Sequence, residues 1–201
     1  MPDDVNIAHK EKMVRRDEAF ERKMARATRE KGLLIVYTGA GKGKTTAALG
    51  LALRALGQGM RVGIVQFIKG AIPTGEAALL SEWNERVEIH TLGEGFTWKT
   101  QDRERDVATA QRAWQKAVEL LRDPSFDMVI LDELNIVLRY DYLPLPEVLE
   151  TLKAKPRDLH VVVTGRNAKP ELIEIADLVT EMTLVKHPFR SGVKAQAGIE
   201  F

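Results

Sequence analysis

The sequence contains no cysteine, and no apolar run comes near the roughly 20 residues that a helix needs to cross a bilayer. The first absence excludes disulfide scaffolds, cysteine nucleophiles and thiolate metal sites. An excess of charge of one sign is also missing, since 30 Lys and Arg balance 29 Asp and Glu, and this argues against nucleic acid as a partner. The remaining features, 201 residues with 44% hydrophobic side chains and a charged N-terminus unlike a signal peptide, predict a globular cytoplasmic protein without membrane association.

Residues 1–31 differ in composition from the rest of the chain. They are dense in charges of both signs, yet Met13, Phe20, Met24 and Ala27 recur at spacings that place them on one narrow stripe of a helix. We therefore expect a helix over about residues 10–30, forming an arm that docks on the body of the protein or on a second subunit. The alternative interpretation is a solvated, partly frayed extension, as terminal segments often are.

From Gly32 onward, short apolar runs alternate with helical segments. The sequence predicts strands at 33–37, 61–68, 87–92, 128–131, 160–164 and 178–182, and helices at 44–56 and 102–122. Runs that are apolar on both faces and separated by helices are typical of parallel strands joined by crossover connections. We therefore expect residues 32–201 to form a three-layer α/β domain with a mostly parallel sheet of about six strands.

A glycine-rich segment follows the first predicted strand and opens a helix, which is the context of a phosphate-binding loop. Its residues are Thr38-Gly39-Ala40-Gly41-Lys42-Gly43-Lys44-Thr45-Thr46. The three glycines permit positive φ angles and close approach of backbone N–H groups to an anion, and the helix N-terminus adds partial positive charge. Lys44 can reach phosphate oxygens and the Thr45 hydroxyl can ligate Mg²⁺. Thr38 stands where the strict pattern has glycine, and the bland alternative is a glycine-rich turn that starts a helix.

Adjacent carboxylates end the fourth predicted strand. Asp132 and Glu133 follow a run of apolar residues at the carboxyl edge of the sheet, where open α/β sheets bind ligands. Either carboxylate can hold Mg²⁺ directly or through water. The alternative interpretation is that a helix starts after the strand and that Asp132 caps it. Beside a phosphate loop we favour the metal role, without deciding between the two carboxylates.

Three further segments bear on the reaction. Phe96 and Trp98 lie two residues apart in a glycine-rich loop, so both project to the same side if the loop is extended; the alternative is two rings that anchor the loop in the core. Arg166 follows the fifth predicted strand, where a cation suits either a phosphate or a structural ion pair. The basic stretch 185–196 is too irregular for a helix and is predicted to be a loop that lies over an anionic ligand.

At this point the sequence resembles the P-loop type of ATP:corrinoid adenosyltransferases over essentially the whole chain. The matching segments are 38–46, Val65-Gln66-Phe67-Ile68-Lys69-Gly70, Gly95-Phe96-Thr97-Trp98, Leu131-Asp132-Glu133-Leu134, Tyr140-Asp141-Tyr142-Leu143-Pro144, Thr164-Gly165-Arg166 and Val193-Lys194-Ala195-Gln196. Ala40 stands where the family usually carries Asn, which removes one hydrogen-bonding side chain from the loop but none of its backbone amides. The resemblance implies a P-loop NTPase fold of the RecA-like type.

The resemblance also implies a mechanism. Family members transfer the 5′-deoxyadenosyl group of ATP to the cobalt(I) of a reduced corrinoid and release triphosphate. Because cobalt(I) is itself the nucleophile, no general base is needed. ATP lies reversed in the loop relative to ordinary ATPases, so that C5′ is exposed. The implied ATP-binding residues are Gly39, Ala40, Gly41, Lys42, Gly43, Lys44, Thr45, Thr46 and Arg166. The implied magnesium ligands are Thr45 with Glu133 or Asp132.

The same resemblance assigns further roles. Phe96 and Trp98 would wall the corrinoid and displace its lower axial ligand, and with Lys44 they are the predicted catalytic residues. The N-terminal helix would cover the active site. A homodimer and a flavoprotein reductant such as flavodoxin are the implied partners.

Two other classes of protein remain as alternatives. A RecA-like ATPase or small P-loop kinase would cleave the γ-phosphate, with Glu133 placing the water or the acceptor hydroxyl. A nucleotide-binding regulator or nucleic-acid module would perform no chemistry, although the near-neutral charge counts against nucleic acid. The phosphate products distinguish these classes, because adenosyl transfer yields triphosphate and the first alternative yields ADP.

Overall fold

The structure is a computed structural model that describes residues 2–68, 75–82, 85–93 and 102–199. The chain divides into two compact units, Met1–Lys31 and Gly32–Phe201. The first unit consists of helix α1 (Pro2–Met24) and the residues that follow it. The helix therefore begins earlier than the sequence predicts and ends before Ala27. Its last turn carries Arg22 and Lys23, which is favourable for the negative end of the helix dipole.

The second unit is built from strands that alternate with helices. Its elements are β1 (Leu34–Thr38), α2 (Lys44–Gly57), β2 (Val62–Gln66), α3 (Gly75–Ser81), β3 (Val87–Thr91), α4 (Arg103–Arg122), β4 (Met128–Asp132), α5 (Leu134–Arg139), α6 (Leu145–Lys153), β5 (His160–Thr164), α7 (Pro170–Ile175), β6 (Leu178–Glu181) and a 3₁₀ helix (Pro188–Ser191). None of the helices in the described part of the chain is long and apolar enough to span a membrane.

The described strands form one six-stranded sheet in the order β3-β2-β4-β5-β1-β6, and every neighbouring pair is parallel. The prediction of a three-layer α/β fold with a largely parallel sheet of about six strands is confirmed. Strand β5 lies between β1 and β4, so the phosphate loop and the carboxylate pair are not on adjacent strands. Because all strands run in one direction, the last residues of β1, β4 and β5 lie at the same edge of the sheet. These residues are Thr38, Asp132 and Thr164.

Each central strand is buried on both faces, which explains its nearly continuous apolar sequence. Leu34 and Val36 pack into one core, together with helices α4, α5 and α6, while Ile35 points into the other core with α2. Trp114 belongs to the first core, at 4% exposure, and its indole Nε1 donates to Glu147 Oε1 at 3.2 Å. The sheet is therefore a rigid platform for the loops at its carboxyl edge.

A cluster of charges lies where edge strand β3 meets α4. The Glu88 carboxylate lies 2.6 Å from Nε2 of His90, 3.2 Å from Nζ of Lys116 and 3.7 Å from the Arg61 guanidinium. The hydrogen bond with His90, aided by Lys116, lowers the pKa of Glu88 against the opposing effect of burial. The cluster therefore holds Glu88 in its ionised form.

Candidate active site

The phosphate loop joins β1 to α2, and its glycines serve two different purposes. Gly39 and Gly43 have φ angles of 95° and 109°, in the left-handed region that favours glycine. Gly41, which as a glycine also permits a positive φ, does not adopt one. A Cβ at Gly41 would lie 2.7 Å from the carbonyl oxygens of both Met182 and Thr183, so this glycine is required by the close approach of the segment after β6.

That segment is hydrogen-bonded to the loop. The Gly41 N–H donates to Met182 O at 2.6 Å, and the Met182 N–H donates to Thr38 O at 2.8 Å. A Cβ on Gly43 would contact the Met182 sulfur at 3.6 Å. Met182 therefore fixes the backbone path of the loop, a role that no local sequence pattern indicates.

Lys44 is only 7% exposed and is held across the loop. Its Nζ donates to the carbonyl oxygens of Gly39 at 2.9 Å and Gly41 at 2.5 Å. Burial lowers the pKa of the ammonium, Glu133 partly restores it, and Arg166 lowers it further. Both Glu133 and Arg166 therefore lie close enough to Lys44 for their charges to act on it.

A network of buried polar side chains connects the start of α2 to β4 and β5. Oδ1 of Asp132 accepts hydrogen bonds from the hydroxyls of Thr45 at 2.8 Å and Thr164 at 2.7 Å, and Oδ2 accepts one from Gln66 Nε2 at 3.4 Å. Asp132 is 1% exposed and Thr164 is fully buried. Since the Thr45 hydroxyl hydrogen points at Asp132, its oxygen lone pairs point elsewhere. That orientation suits a metal ligand.

Glu133 lies at a sharp turn between β4 and α5. Its φ of 66° is in the left-handed region, and its N–H donates to the Thr164 hydroxyl at 2.9 Å. A helix does start here, as the alternative interpretation of the carboxylates proposed. However, its N-cap is Glu133, without a side-chain capping bond, and the Asp132 carboxylate bonds Thr45 and Thr164.

Other predicted site residues lie at the surface. Ala40, Lys42 and Thr46 are exposed in or next to the loop, and Arg166 is exposed on the turn after β5. Gly165 and Asn167, on either side of Arg166, have φ angles of 126° and 56°. The predicted corrinoid-facing residues Phe96 and Trp98 lie outside the described residues. The basic stretch 185–196 contains a 3₁₀ helix over Pro188–Ser191 and is otherwise irregular, as expected.

The donor set at the carboxyl edge fits magnesium rather than a soft metal. Among the described residues there is no group of three or more His, Cys, Asp or Glu side chains that would form an all-protein metal cage. A hydroxyl next to two carboxylates, at Thr45, Asp132 and Glu133, is what Mg²⁺ uses when substrate phosphates complete its coordination. The residues present are therefore compatible with a magnesium–nucleotide site.

Comparison with known proteins decides which family this site belongs to. A sequence model of the family described as "ATP:corrinoid adenosyltransferase BtuR/CobO/CobP" matches residues 30–201. This chain belongs to that adenosyltransferase family. The match includes the phosphate loop, the carboxylates and the turn that carries Arg166.

Curated relatives agree with that assignment. This chain is 58% identical over 195 residues to a Sinorhizobium protein named "Corrinoid adenosyltransferase", and the alignment covers 96% of this chain and 91% of the relative. Proteins of the same name from Pseudomonas aeruginosa and Escherichia coli K12 are 54% and 48% identical over 193 residues, covering 96% of this chain and 95% and 97% of theirs.

Among solved structures, the flagellar accessory protein FlaH from Methanocaldococcus jannaschii is similar over 75% of this chain and 70% of its own. The TM-score is 0.44 at 11% identity, so this likeness carries no argument about the adenosyltransferase.

The sequence analysis assigned no role to several residues that shape the candidate site. Gln66 and Thr164 complete the Asp132 network, and Thr38, Asn135 and Met182 contact the loops around it. One signal was available: polar residues at the ends of β2 and β5, in runs that are otherwise apolar, point at the same sheet edge as Asp132. The bonds of Asn135 and Met182 depend on tertiary contacts that no local pattern indicates.

Proposed function

We propose that this chain transfers the 5′-deoxyadenosyl group of ATP to the cobalt(I) of a reduced corrinoid, with the triphosphate bound by residues 39–46. The names of the relatives support the reaction. The observation that carries the assignment to this site is the Lys44 ammonium, held across the glycine loop by two loop carbonyls while burial keeps water from it. Such a cation is placed before the substrate arrives.

The positive charges suit triphosphate as the leaving group. Lys44 and Arg166 approach each other closely enough to interact, and the N-terminus of the 14-residue helix α2 adds a partial positive charge. Two like charges held together are unfavourable until an anion lies between them. Negative charge builds on the triphosphate as the C5′–O bond breaks, so these groups stabilise the transition state more than the ground state.

Thr45, Asp132 and Glu133 would hold Mg²⁺ together with the phosphates. When bound, Mg²⁺ would neutralise further charge on the triphosphate. Asp132 acts on this group through Thr45, because the 2.8 Å hydrogen bond fixes the direction of the hydroxyl lone pairs. Glu133, whose charge also acts on Lys44, is the second carboxylate available to the ion.

The bond changes balance without a proton acceptor. Cobalt(I) donates an electron pair to C5′ and becomes formally cobalt(III), while the C5′–O pair leaves with triphosphate. No proton moves, so no general base is required. Two histidines on the sheet are bonded to groups outside the phosphate loop, which agrees with a reaction that needs no base. His90 bonds Glu88, and His160 accepts from the Leu33 N–H at 3.2 Å. The chain's own work is to orient ATP with C5′ toward the corrinoid and to stabilise the leaving group.

Several finer assignments rest on the family resemblance. Phe96 and Trp98 would wall the corrinoid and displace its lower ligand, which makes reduction to cobalt(I) accessible. Residues 1–31 would cover the active site of a homodimer. A flavoprotein such as flavodoxin would supply electrons in the cytoplasm.

The test is an anaerobic assay of the full chain with Mg-ATP and chemically reduced cobalamin, in which cobalt(I) loss is followed optically and phosphate products by chromatography. We expect adenosylcobalamin and triphosphate in equal amounts. Lys44→Ala should abolish both products, whereas Lys153→Ala, an exposed lysine at the end of α6, should retain full activity. Circular dichroism should show both variants folded. Formation of ADP and orthophosphate without cobalt alkylation would overturn the proposal in favour of an ATPase.

A further inference from the structure

The turn after β5 contains two residues with positive φ angles. Gly165 and Asn167 both have φ in the left-handed region, at 126° and 56°. Glycine and asparagine adopt such φ angles at little cost, and hydrogen bonds from outside the turn hold it in place. Arg166 lies between these two residues, so the path of the turn sets the backbone position from which its side chain extends.

One of those bonds comes from Asn135, in the first turn of α5. Its Nδ2 donates to the Gly165 carbonyl at 3.0 Å, and a Cβ added to Gly165 would lie 2.9 Å from the Asn135 Cβ. The side chain is fully buried, and its Oδ1 has no hydrogen-bond partner among the described residues. Burying an amide oxygen in this way costs free energy, so an apolar side chain would serve better if packing were the only role. The donated bond to Gly165 accounts for the amide.

The second bond comes from Thr38, the residue that departs from the strict phosphate-loop pattern. Its hydroxyl accepts a hydrogen bond from the Ala168 N–H at 3.0 Å, and the side chain is 6% exposed. Glycine at this position would have no such acceptor. The hydroxyl therefore ties the end of β1, where the phosphate loop begins, to the far end of the turn that carries Arg166.

We propose that Thr38 and Asn135 are positioning residues that fix Arg166 relative to the phosphate loop. Asn135 holds the turn at Gly165 and Thr38 holds it at Ala168, so the turn is fixed on both sides of Arg166. The Gly165 N–H also donates to Tyr37 O at 3.2 Å, so the turn that carries Arg166 begins beside the end of β1, where the phosphate loop starts. The inference rests on the proposed function, in which Lys44 and Arg166 both face the triphosphate.

A double-mutant cycle tests it, with inorganic tripolyphosphate in magnesium buffer as the probe and calorimetry as the readout. Thr38→Val keeps the side-chain shape but removes the acceptor, and should weaken binding about three- to tenfold, as expected for one lost hydrogen bond. Thr38→Ser keeps the hydroxyl and should bind within about twofold of the wild type. In an Arg166→Ala background, Thr38→Val should weaken binding by less than about 1.5-fold, because it acts through the missing guanidinium.

The outcomes separate the positioning role from a structural one. If Thr38→Val weakens tripolyphosphate binding by the same factor with and without Arg166, its effect is general destabilisation and the inference is overturned. If Arg166→Ala itself leaves binding unchanged, the assignment of Arg166 to the triphosphate fails as well, and the inference fails with it. Asn135→Leu provides a second cycle should Thr38→Val not fold. It should show the same dependence on Arg166, and equal losses in both backgrounds would overturn the role of Asn135.

Discussion

Thr164 provides the most direct test of how the carboxylate network is held together. Its hydroxyl donates to Asp132 Oδ1 at 2.7 Å and accepts from the Glu133 N–H at 2.9 Å, and the residue is fully buried. Thr164→Val replaces the hydroxyl by a methyl group of similar size. The substitution therefore removes two hydrogen bonds while leaving the packing nearly unchanged.

The expected loss follows from what the substitution leaves behind. A buried N–H without a partner costs about 1–3 kcal/mol, and a lost hydrogen bond to a charged carboxylate costs about 1.5–3 kcal/mol. Asp132 keeps its bonds from Thr45 and Gln66, so we take the lower half of both ranges and expect Thr164→Val to destabilise the fold by about 3 kcal/mol. Thr164→Ser keeps both bonds and removes one methyl group, which costs about 1 kcal/mol.

Urea unfolding followed by circular dichroism measures both variants. With a slope of about 2 kcal/mol per molar urea, a loss of about 3 kcal/mol lowers the midpoint by about 1.5 M, against about 0.5 M for Thr164→Ser. Thr180→Val, on the exposed edge strand β6, controls for the general effect of this substitution and should change stability by less than about 0.5 kcal/mol. Equal midpoints for Thr164→Val and Thr164→Ser, with unchanged slopes, would refute the reasoning.

Two further predictions concern charge and backbone. Glu88→Gln should lower stability at pH 7 by about 0.5–1 kcal/mol. The bond with His90 lowers the pKa of Glu88, so the stabilisation from the Glu88 carboxylate is present above the ordinary glutamate pKa and is lost as the pH falls through the lowered value. The urea midpoints of mutant and wild type should therefore converge in acid. A gap that stays constant with pH would contradict this. Gly39→Ala should weaken ATP binding more than tenfold, since the added Cβ would lie 2.4 Å from Met182 O and the residue has a φ of 95°. The control Gly50→Ala, at a position with open space around it, should bind ATP normally. Equal ATP affinities of the two variants in titrations would count against the close contact.

The fold was largely predictable because its strands are buried on both faces. Residues 128–131 of β4, for example, are apolar on both faces, and the predicted bounds of the six strands agree with the structure to within two residues. The short helices α3, α5, α6 and α7 were missed, since six to nine residues are too few to show a clear helical period. A proline at the first turn of α6 and of α7 was an available signal.

The site was predictable only where its residues are neighbours in the sequence. The loop around Lys44 has a local pattern because one turn and one helix N-terminus form it. The bond from Thr45 to Asp132 joins residues 87 apart, and the bond from Thr38 to Ala168 joins residues 130 apart. Such contacts depend on β5 lying between β1 and β4, an order that hydrophobic periodicity does not encode.

The turn at Glu133 explains why two consecutive carboxylates have different surroundings. A left-handed φ at a residue with a side chain costs roughly 1–2 kcal/mol, and here it ends β4 and starts α5 at once. The Asp132 carboxylate therefore stays among the hydroxyls of the sheet edge, while Glu133 Oε2 lies 3.1 Å from the point that a Cβ on Gly165 would occupy. Any larger residue at 165 would displace that oxygen, and without the Thr164 hydroxyl the Glu133 N–H would lose its partner. The position of the Glu133 carboxylate thus depends on Thr164 and Gly165, at the end of β5, and is not determined by the sequence of β4 alone.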